Sequence, residues 1–399
     1  MTFKDYFQFA HPTRIVAGRG MIDSVGFEFA KDGAKRPLIV TDEVIRGTGL
    51  IEKVDAGLAD GGLEAAGVFD QVPQDSGTEV VEACAAAAAD AGADSLLAVG
   101  GGSVMDTAKV ANAIFVHGGT VLDYEGIYQL PREEGMEGAP LPLKPLACIP
   151  TTAGTGSEVS FGAVIKDPEQ GAKLSLGDFP LFPRLAILDP EATRTLPPPI
   201  AAATGMDAIT HAIEGYTSTE WTPHGDAFAI GALRLIRDNL PVAVEDPSEE
   251  EARGNMLVAA SMAIVPGAAA NVALGATHSM SHPAGARHGV PHGVANAINL
   301  PHVIRFNADD EATADRYREI AALLGADAGG SGAEVGESLA GWIADLTTRL
   351  GLPQRLSEVG VPEAGIPDLV EGAMGDGCTL VNPREMTEED FTALYEAAL

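Results

Sequence analysis

Ser95-Leu96-Leu97-Ala98-Val99 runs straight into Gly100-Gly101-Gly102-Ser103, and Val104 to Phe115 continues with helical character. The apolar run reads as a buried strand, the glycines end it, and a helix follows. Glycines at such a junction permit positive φ and let a ligand approach the backbone closely. The helix opens with free N–H groups and the positive end of its dipole, which together suit a pyrophosphate. A tight strand-to-helix turn with no ligand would carry the same letters. The spacing is not G-x-G-x-x-G, and no acidic residue stands at a strand end about 20 residues on, so the usual dinucleotide fingerprint is absent.

Working outward, Pro37-Leu38-Ile39-Val40-Thr41 reads as a second buried strand, ending at Asp42. Ala66 to Phe69 is a shorter one, Thr78 to Ala91 is an alanine-rich helix, and Leu146-Ala147-Cys148-Ile149-Pro150 is another apolar run. Strands alternating with helices predict a parallel sheet of βαβ units. A carboxylate at Asp42 could accept from adenosine ribose hydroxyls; it could equally cap the next turn. Pro150 to Glu158 forms a second loop of small and hydroxylated residues after a strand. Two such loops at strand ends favour a nucleotide crevice over either alone.

Beyond Asp189-Pro190 and Pro197-Pro198-Pro199 the pattern changes to long helices: Ala201 to Tyr216, Ala227 to Asn239, Glu249 to Ile264, Glu311 to Leu324 and Ser338 to Arg349. The prolines read as a breaker, and Gly325 to Gly336 as a surface loop. The expected architecture is an N-terminal α/β dinucleotide-binding domain with a parallel sheet (1–194) and an all-α helical domain (195–399).

Composition narrows the function classes. The 399 residues hold 57 acidic against 25 basic side chains, a formal charge of −32, which disfavours nucleic-acid partners. No uncharged apolar stretch approaches the ~18 residues of a membrane span. The N-terminus lacks a signal-peptide pattern, and the three cysteines are too scattered for a disulfide framework, so the cytoplasm is the expected compartment. No lysine follows Lys173. Low lysine with a large acidic excess is the composition of a protein working in concentrated salt; arginine bias with an acidic surface gives the same letters.

Asp207 and His211 are four apart in a helix and project from one face. Five of the nine histidines (His278, His282, His288, His292, His302) then fall within 25 residues. His278 and His282 share an i,i+4 spacing; Gly285, Gly289 and Pro291 make the His288/His292 pair loop-like. An Asp/His helix pair with further imidazoles suits a divalent metal such as zinc or ferrous iron. Spacing alone does not settle which histidines bind.

The motifs, in order, resemble those of the iron-containing (group III) alcohol dehydrogenases. Gly100-Gly101-Gly102-Ser103-Val104-Met105-Asp106-Thr107-Ala108-Lys109 and Pro150-Thr151-Thr152-Ala153-Gly154-Thr155-Gly156-Ser157-Glu158 resemble that family's two nucleotide loops. Gly205-Met206-Asp207-Ala208-Ile209-Thr210-His211-Ala212-Ile213-Glu214 resembles its first metal helix. His278-Ser279-Met280-Ser281-His282-Pro283 and Pro291-His292-Gly293-Val294-Ala295-Asn296-Ala297 resemble its histidine signature, and Cys378-Thr379-Leu380-Val381-Asn382-Pro383-Arg384 its C-terminal ending. The resemblance implies metal ligands at Asp207, His211, His278 and His292, with His282 beside nicotinamide and substrate as a proton relay. It implies NAD contacts at Asp42, Gly100, Gly101, Gly102, Ser103, Asp106, Thr151, Thr152 and Lys173, and a site in the cleft between the two domains.

The implied reaction is hydride transfer between an alcohol, acidified by Fe2+ or Zn2+, and NAD, with an aldehyde or ketone as the oxidised partner. A homodimer or larger homo-oligomer is expected. A hydroxyacid-oxoacid transhydrogenase is a near alternative, and a dehydroquinate-synthase-like lyase a remote one that the scarcity of lysine disfavours. The chain departs from the family at Pro73-Gln74-Asp75 and at Ala286-Arg287-His288-Gly289. The arginine and extra histidine of the latter either favour a polar or anionic substrate or face solvent.

Overall fold

The computed structural model describes residues 6–133, 139–169, 172–269 and 274–399. They form two compact units: 11–152 with 156–196, and 197–399 with 153–155 and 6–10.

The first unit contains strands β1 (Arg14–Ala17), β2 (Pro37–Val40), β3 (Gly67–Phe69), β4 (Ser95–Gly100), β5 (Gly126–Ile127), β6 (Leu146–Pro150), β7 (Gly162–Asp167), β8 (Ala172–Gly177) and β9 (Leu185–Leu188). Its helices are α1 (Val25–Ala30), α2 (Glu43–Arg46), α3 (Leu50–Asp60), α4 (Thr78–Asp90) and α5 (Gly102–His117). Six strands pair in parallel in the order β1-β9-β6-β4-β2-β3. The inner strands β2, β4, β6 and β9 are almost wholly apolar and buried on both faces, as a helix-covered parallel sheet requires, while the edge strand β1 is partly exposed. Leu38, Val40, Leu96, Ala98 and Cys148 face one core, under α4 and α5. Ile39, Leu97, Val99, Ala147 and Ile149 face the other, under α1 and α3. Cys84 and Cys148 are packing residues of the first core, and burial pushes the Cys84 thiol up to about 12.

The expected strands and helices of this half are present. The spacing reading passed over β1, β9 and the antiparallel pair β7/β8, which forms a three-stranded sheet with β5. Ala163, Ile165, Leu174 and Leu176 are the buried, alternating positions that marked that hairpin.

The second unit is helical among its described residues: α6 (Pro198–Thr217), α7 (Pro223–Glu245), α8 (Glu250–Ala269), α9 (Ala276–His288), α10 (His292–Asn307), α11 (Glu311–Leu324), α12 (Gly332–Arg349), α13 (Ile366–Met374) and α14 (Glu388–Ala398). Two boundaries correct the sequence reading. The triple proline starts α6 rather than breaking the chain, since proline is pre-set for a helix's first turn, where its missing N–H costs nothing. The loop expected to reach Gly336 ends at Ser331, whose side chain and that of Glu334 make a reciprocal capping box for α12. Between 197 and 399 there is no lysine, and several of the arginines have two-pronged carboxylate partners. Arg305 meets Glu337 at 2.6 and 3.0 Å, and Arg349 meets Glu245 at 2.7 and 3.0 Å. No helix is long and apolar enough to cross a membrane among the described residues.

Candidate metal centre and dinucleotide loops

In the sheet unit, β4 and β6 lie side by side with Gly100 level with Pro150, and Thr151 N donates to Gly100 O at 3.0 Å. Both small-residue loops therefore leave the sheet at the same place. Gly101 stands as N-cap of α5 with no side chain capping it, so the helix presents its first amides from Gly102 and Ser103. Thr152 Oγ1 is buried without a protein partner, and a Cβ on Gly101 would lie 3.5 Å from it. A polar group left unsatisfied beside uncapped helix amides fits a phosphate-bearing ligand.

The other expected cofactor residues divide. Asp42 Oδ1 accepts from Ile45 N at 2.8 Å, so it caps α2. Ser103 Oγ accepts from Asp75 N at 3.1 Å, and Lys173 Nζ donates to Asp75 Oδ1 at 2.8 Å. Asp106 has both oxygens engaged inside the protein: Oδ1 accepts from Ser157 Oγ at 2.6 Å and Oδ2 from Val164 N at 2.9 Å. It braces the second loop from α5. Its neighbour one turn on, Lys109, escaped the sequence reading. Lys109 is wholly buried and donates to Ser157 Oγ (2.8 Å), Ser160 Oγ (3.0 Å) and Gly162 O (2.7 Å), with Asp106 Oδ1 at 3.9 Å. The local pattern of α5 gives no warning of such a residue.

In the helical unit, α6 presents Asp207, His211 and Glu214 at spacings of four and three, hence on one face. α9 brings His278 and His282, and α10 begins at His292 and carries Asn296 one turn later. α10 approaches α6 so closely that a Cβ on Gly293 would run into the Ala203 carbonyl, which is why glycine follows His292.

These elements gather three imidazoles around one carboxylate oxygen. Asp207 Oδ1 lies 3.6 Å from His211 Nε2, 3.6 Å from His278 Nε2 and 3.4 Å from His292 Nε2. Asp207, His211 and His278 offer donor atoms that all lie within 4.8 Å of one another, and His292 Nε2 reaches the same carboxylate oxygen, a donor set that suits a divalent transition metal. Asp207, His211 and His278 are buried, whereas the His292 side chain is 29% exposed, which gives the cluster an accessible side. Burial alone would raise the Asp207 carboxyl; His211, His292 and His278 around it hold it below the usual carboxylate range instead.

His282 stands beside this cluster, its ring stacked on His292 with centroids 5.4 Å apart. Its Nδ1 is 2.6 Å from Asp376 Oδ2. Burial would raise the Asp376 carboxyl, but the His282 beside it pulls it below the usual range. Three residues here were not singled out from sequence. Glu214 falls on the face already marked by Asp207 and His211, and Asn296 is four after His292, so spacing could have found both. Asn296 Nδ2 donates to Asp207 Oδ1 at 2.8 Å. Asp376, 94 positions from His282, carries no such signal. Arg287 turns to α13, 3.4 Å from Glu371 and 3.8 Å from Asp368, and His288 packs against Gly365. Arg287 is exposed, whereas His288 Nε2 is buried.

Residues 12–190 match the family described as iron-containing alcohol dehydrogenase, and residues 201–399 match the C-terminal region of the Fe-containing alcohol dehydrogenase family. The chain is 38% identical over 389 residues to the NAD-dependent methanol dehydrogenase of Bacillus methanolicus, covering 97% of this chain and 98% of that one. A crystal structure of 1,3-propanediol oxidoreductase superposes with a TM-score of 0.92 at 35% identity, covering 99% and 100% of the two chains. An archaeal halo-thermophilic alcohol dehydrogenase from a Red Sea brine pool gives a TM-score of 0.88 at 28% identity, with both chains fully covered. The chain belongs to the iron-containing alcohol dehydrogenase family. It is an alcohol oxidoreductase with NAD and a divalent metal as cofactors.

Proposed function

We propose that the enzyme interconverts a short primary alcohol and its aldehyde, with Asp207, His211, His278 and His292 holding the metal. The observation that carries the reading is the three-imidazole, one-carboxylate cluster with an accessible flank, and His282 beside it. The similar enzymes named above act on methanol and 1,3-propanediol, both short primary alcohols. The metal, when bound, supplies Lewis acidity that lowers the pKa of an alcohol. The residues of the chain do the rest. Asp376 is a carboxylate, so Nδ1 of His282 bears the hydrogen between them and Nε2 is the atom that takes the substrate proton. The sheet unit, with its uncapped α5 amides and Thr152, holds the dinucleotide. A homo-oligomer in the cytoplasm suits an enzyme of this kind.

The direct test follows NADH absorbance across a panel of short alcohols and aldehydes, using protein reconstituted with Fe2+ or Zn2+. Turnover on none of them would sink the substrate class; turnover without net NADH change would point to the transhydrogenase.

Asp42 bears on cofactor choice. A 2′-phosphate near its carboxylate would be repelled by ~4 kcal/mol at 4 Å and an effective dielectric of 20. Reduced to a third by solvent and rearrangement, that is still about tenfold at 1.4 kcal/mol per decade. Asp42→Gly should narrow the NAD-to-NADP ratio of kcat/KM by about tenfold. Glycine costs an N-cap only a few tenths of a kcal/mol, so loss of the α2 cap does not mask the effect. An unchanged ratio would leave Asp42 with its capping role alone.

The charge of −32 leads to a second expectation. Salt at molar strength shortens the Debye length to ~3 Å and relieves repulsion among the surface carboxylates. For a chain of this length each kcal/mol so gained should raise the melting temperature by roughly 1 °C. Similarity to a brine-pool enzyme supports the same reading. A melting temperature flat from low to molar KCl would contradict it.

A further inference from the structure

We infer that Glu214 is a positioning residue for the metal centre: its carboxylate fixes the His278 ring so that Nε2 is the atom offered to the metal. The inference rests on the metal-binding reading of the Asp207 cluster and extends it to a residue outside the four donors.

Glu214 is buried, and three groups converge on it. Gly275 N donates to Oε2 at 2.8 Å, Thr277 N donates to Oε1 at 2.6 Å, and His278 Nδ1 stands 2.5 Å from Oε2. An ionised carboxylate only accepts. Two of its neighbours are backbone amides that can only donate, which suits the ionised form. The hydrogen in the third contact therefore sits on Nδ1. A neutral imidazole with Nδ1 protonated has a bare Nε2, and that atom faces Asp207. The opposite tautomer would put a hydrogen where a metal has to bind.

The same carboxylate satisfies amides at the start of α9, where they have no partner within the helix. A Cβ on Gly275 would stand 2.8 Å from Glu214 Oε1, so glycine is needed for this approach. Glu214 thus ties the beginning of α9 to the face of α6 that already carries Asp207 and His211. A carboxylate behind a ligating imidazole also strengthens it as a donor, and loss of such partners typically weakens metal affinity 10–100-fold.

Glutamine in this position keeps the shape but has one acceptor oxygen, so its NH2 must face a donor or turn the ring. The experiment measures Zn2+ affinity of the full chain by chelator competition, with the melting temperature of the metal-free protein, for wild type and Glu214→Gln. The expected result is 10–100-fold weaker Zn2+ binding by the folded variant, whatever the altered cap takes from the metal-free melting temperature. A purely structural cap would lower that temperature and leave the affinity of the folded protein unchanged. Glu214→Asp draws the carboxylate back from Nδ1 by one methylene while keeping its charge, and is read the same way should the glutamine variant not fold. Zn2+ affinity within threefold of wild type in a folded variant overturns the inference and leaves the metal site standing. A wild-type chain that binds no Zn2+ overturns both.

Discussion

Replacing His278 with alanine is expected to abolish turnover and to bring bound metal well below one ion per chain. Of the three imidazoles around Asp207 it is the most deeply buried. Its Nε2 faces Asp207, its ring stacks on His211 with centroids 4.8 Å apart, and its Nδ1 meets Glu214. Truncation removes one of the four proposed donors and enlarges the site by an imidazole. It also strands the buried Glu214 carboxylate without one of its three partners, at a cost of about 1–3 kcal/mol. The variant is therefore expected to fold, and melting measured beside metal content separates lost ligation from lost structure. Full metal occupancy in folded protein would take His278 out of the ligand set.

Lys109→Met should cost about 3–5 kcal/mol of stability, the penalty of removing one partner from a buried charged group. Lys109 is enclosed completely, and its ammonium is matched to two hydroxyls and a carbonyl, with Asp106 close behind. Methionine fills most of the stem's volume but takes from Asp106 the cation at 3.9 Å and from Gly162 O its 2.7 Å hydrogen bond. Denaturant unfolding of both proteins measures the loss. Lys31→Met is the comparison: its pairing with Glu28 at 2.8 Å lies at the surface, where ion pairs contribute roughly 0–1 kcal/mol. Equal effects from the two substitutions would mean that the buried ammonium contributes no more than a surface one.

The two residues also show where reading the chain by spacing succeeds and where it stops. Strands β2 and β4 were legible because a sheet covered on both faces needs unbroken apolar runs. The Asp207/His211 pair was legible because helical periodicity fixes a shared face without reference to anything distant. The β7/β8 hairpin was missed because its alternation is short: each strand has only two buried apolar positions before the pattern ends, and Val164 on the outer face is apolar too. The start of α12 was signalled by Ser331 and Glu334, but the glycines around them outweighed the cap. Lys109 and Asp376 could not be read at all. Their significance comes from partners 48 and 94 positions away, Ser157 and His282, which only the folded chain brings together.

The exclusive use of arginine in the helical unit has a consequence for working conditions. Oxidising an alcohol with NAD releases a proton, so alkaline solution draws the reaction toward the aldehyde. Lysine ammonium groups begin to discharge there, near pH 10.4, whereas guanidinium groups keep their charge beyond pH 12. The forked pairs of Arg305 with Glu337 and Arg349 with Glu245 accordingly persist where lysine pairs would be fading. The unit that carries the proposed metal ligands is in this way buffered against the very pH that favours oxidation.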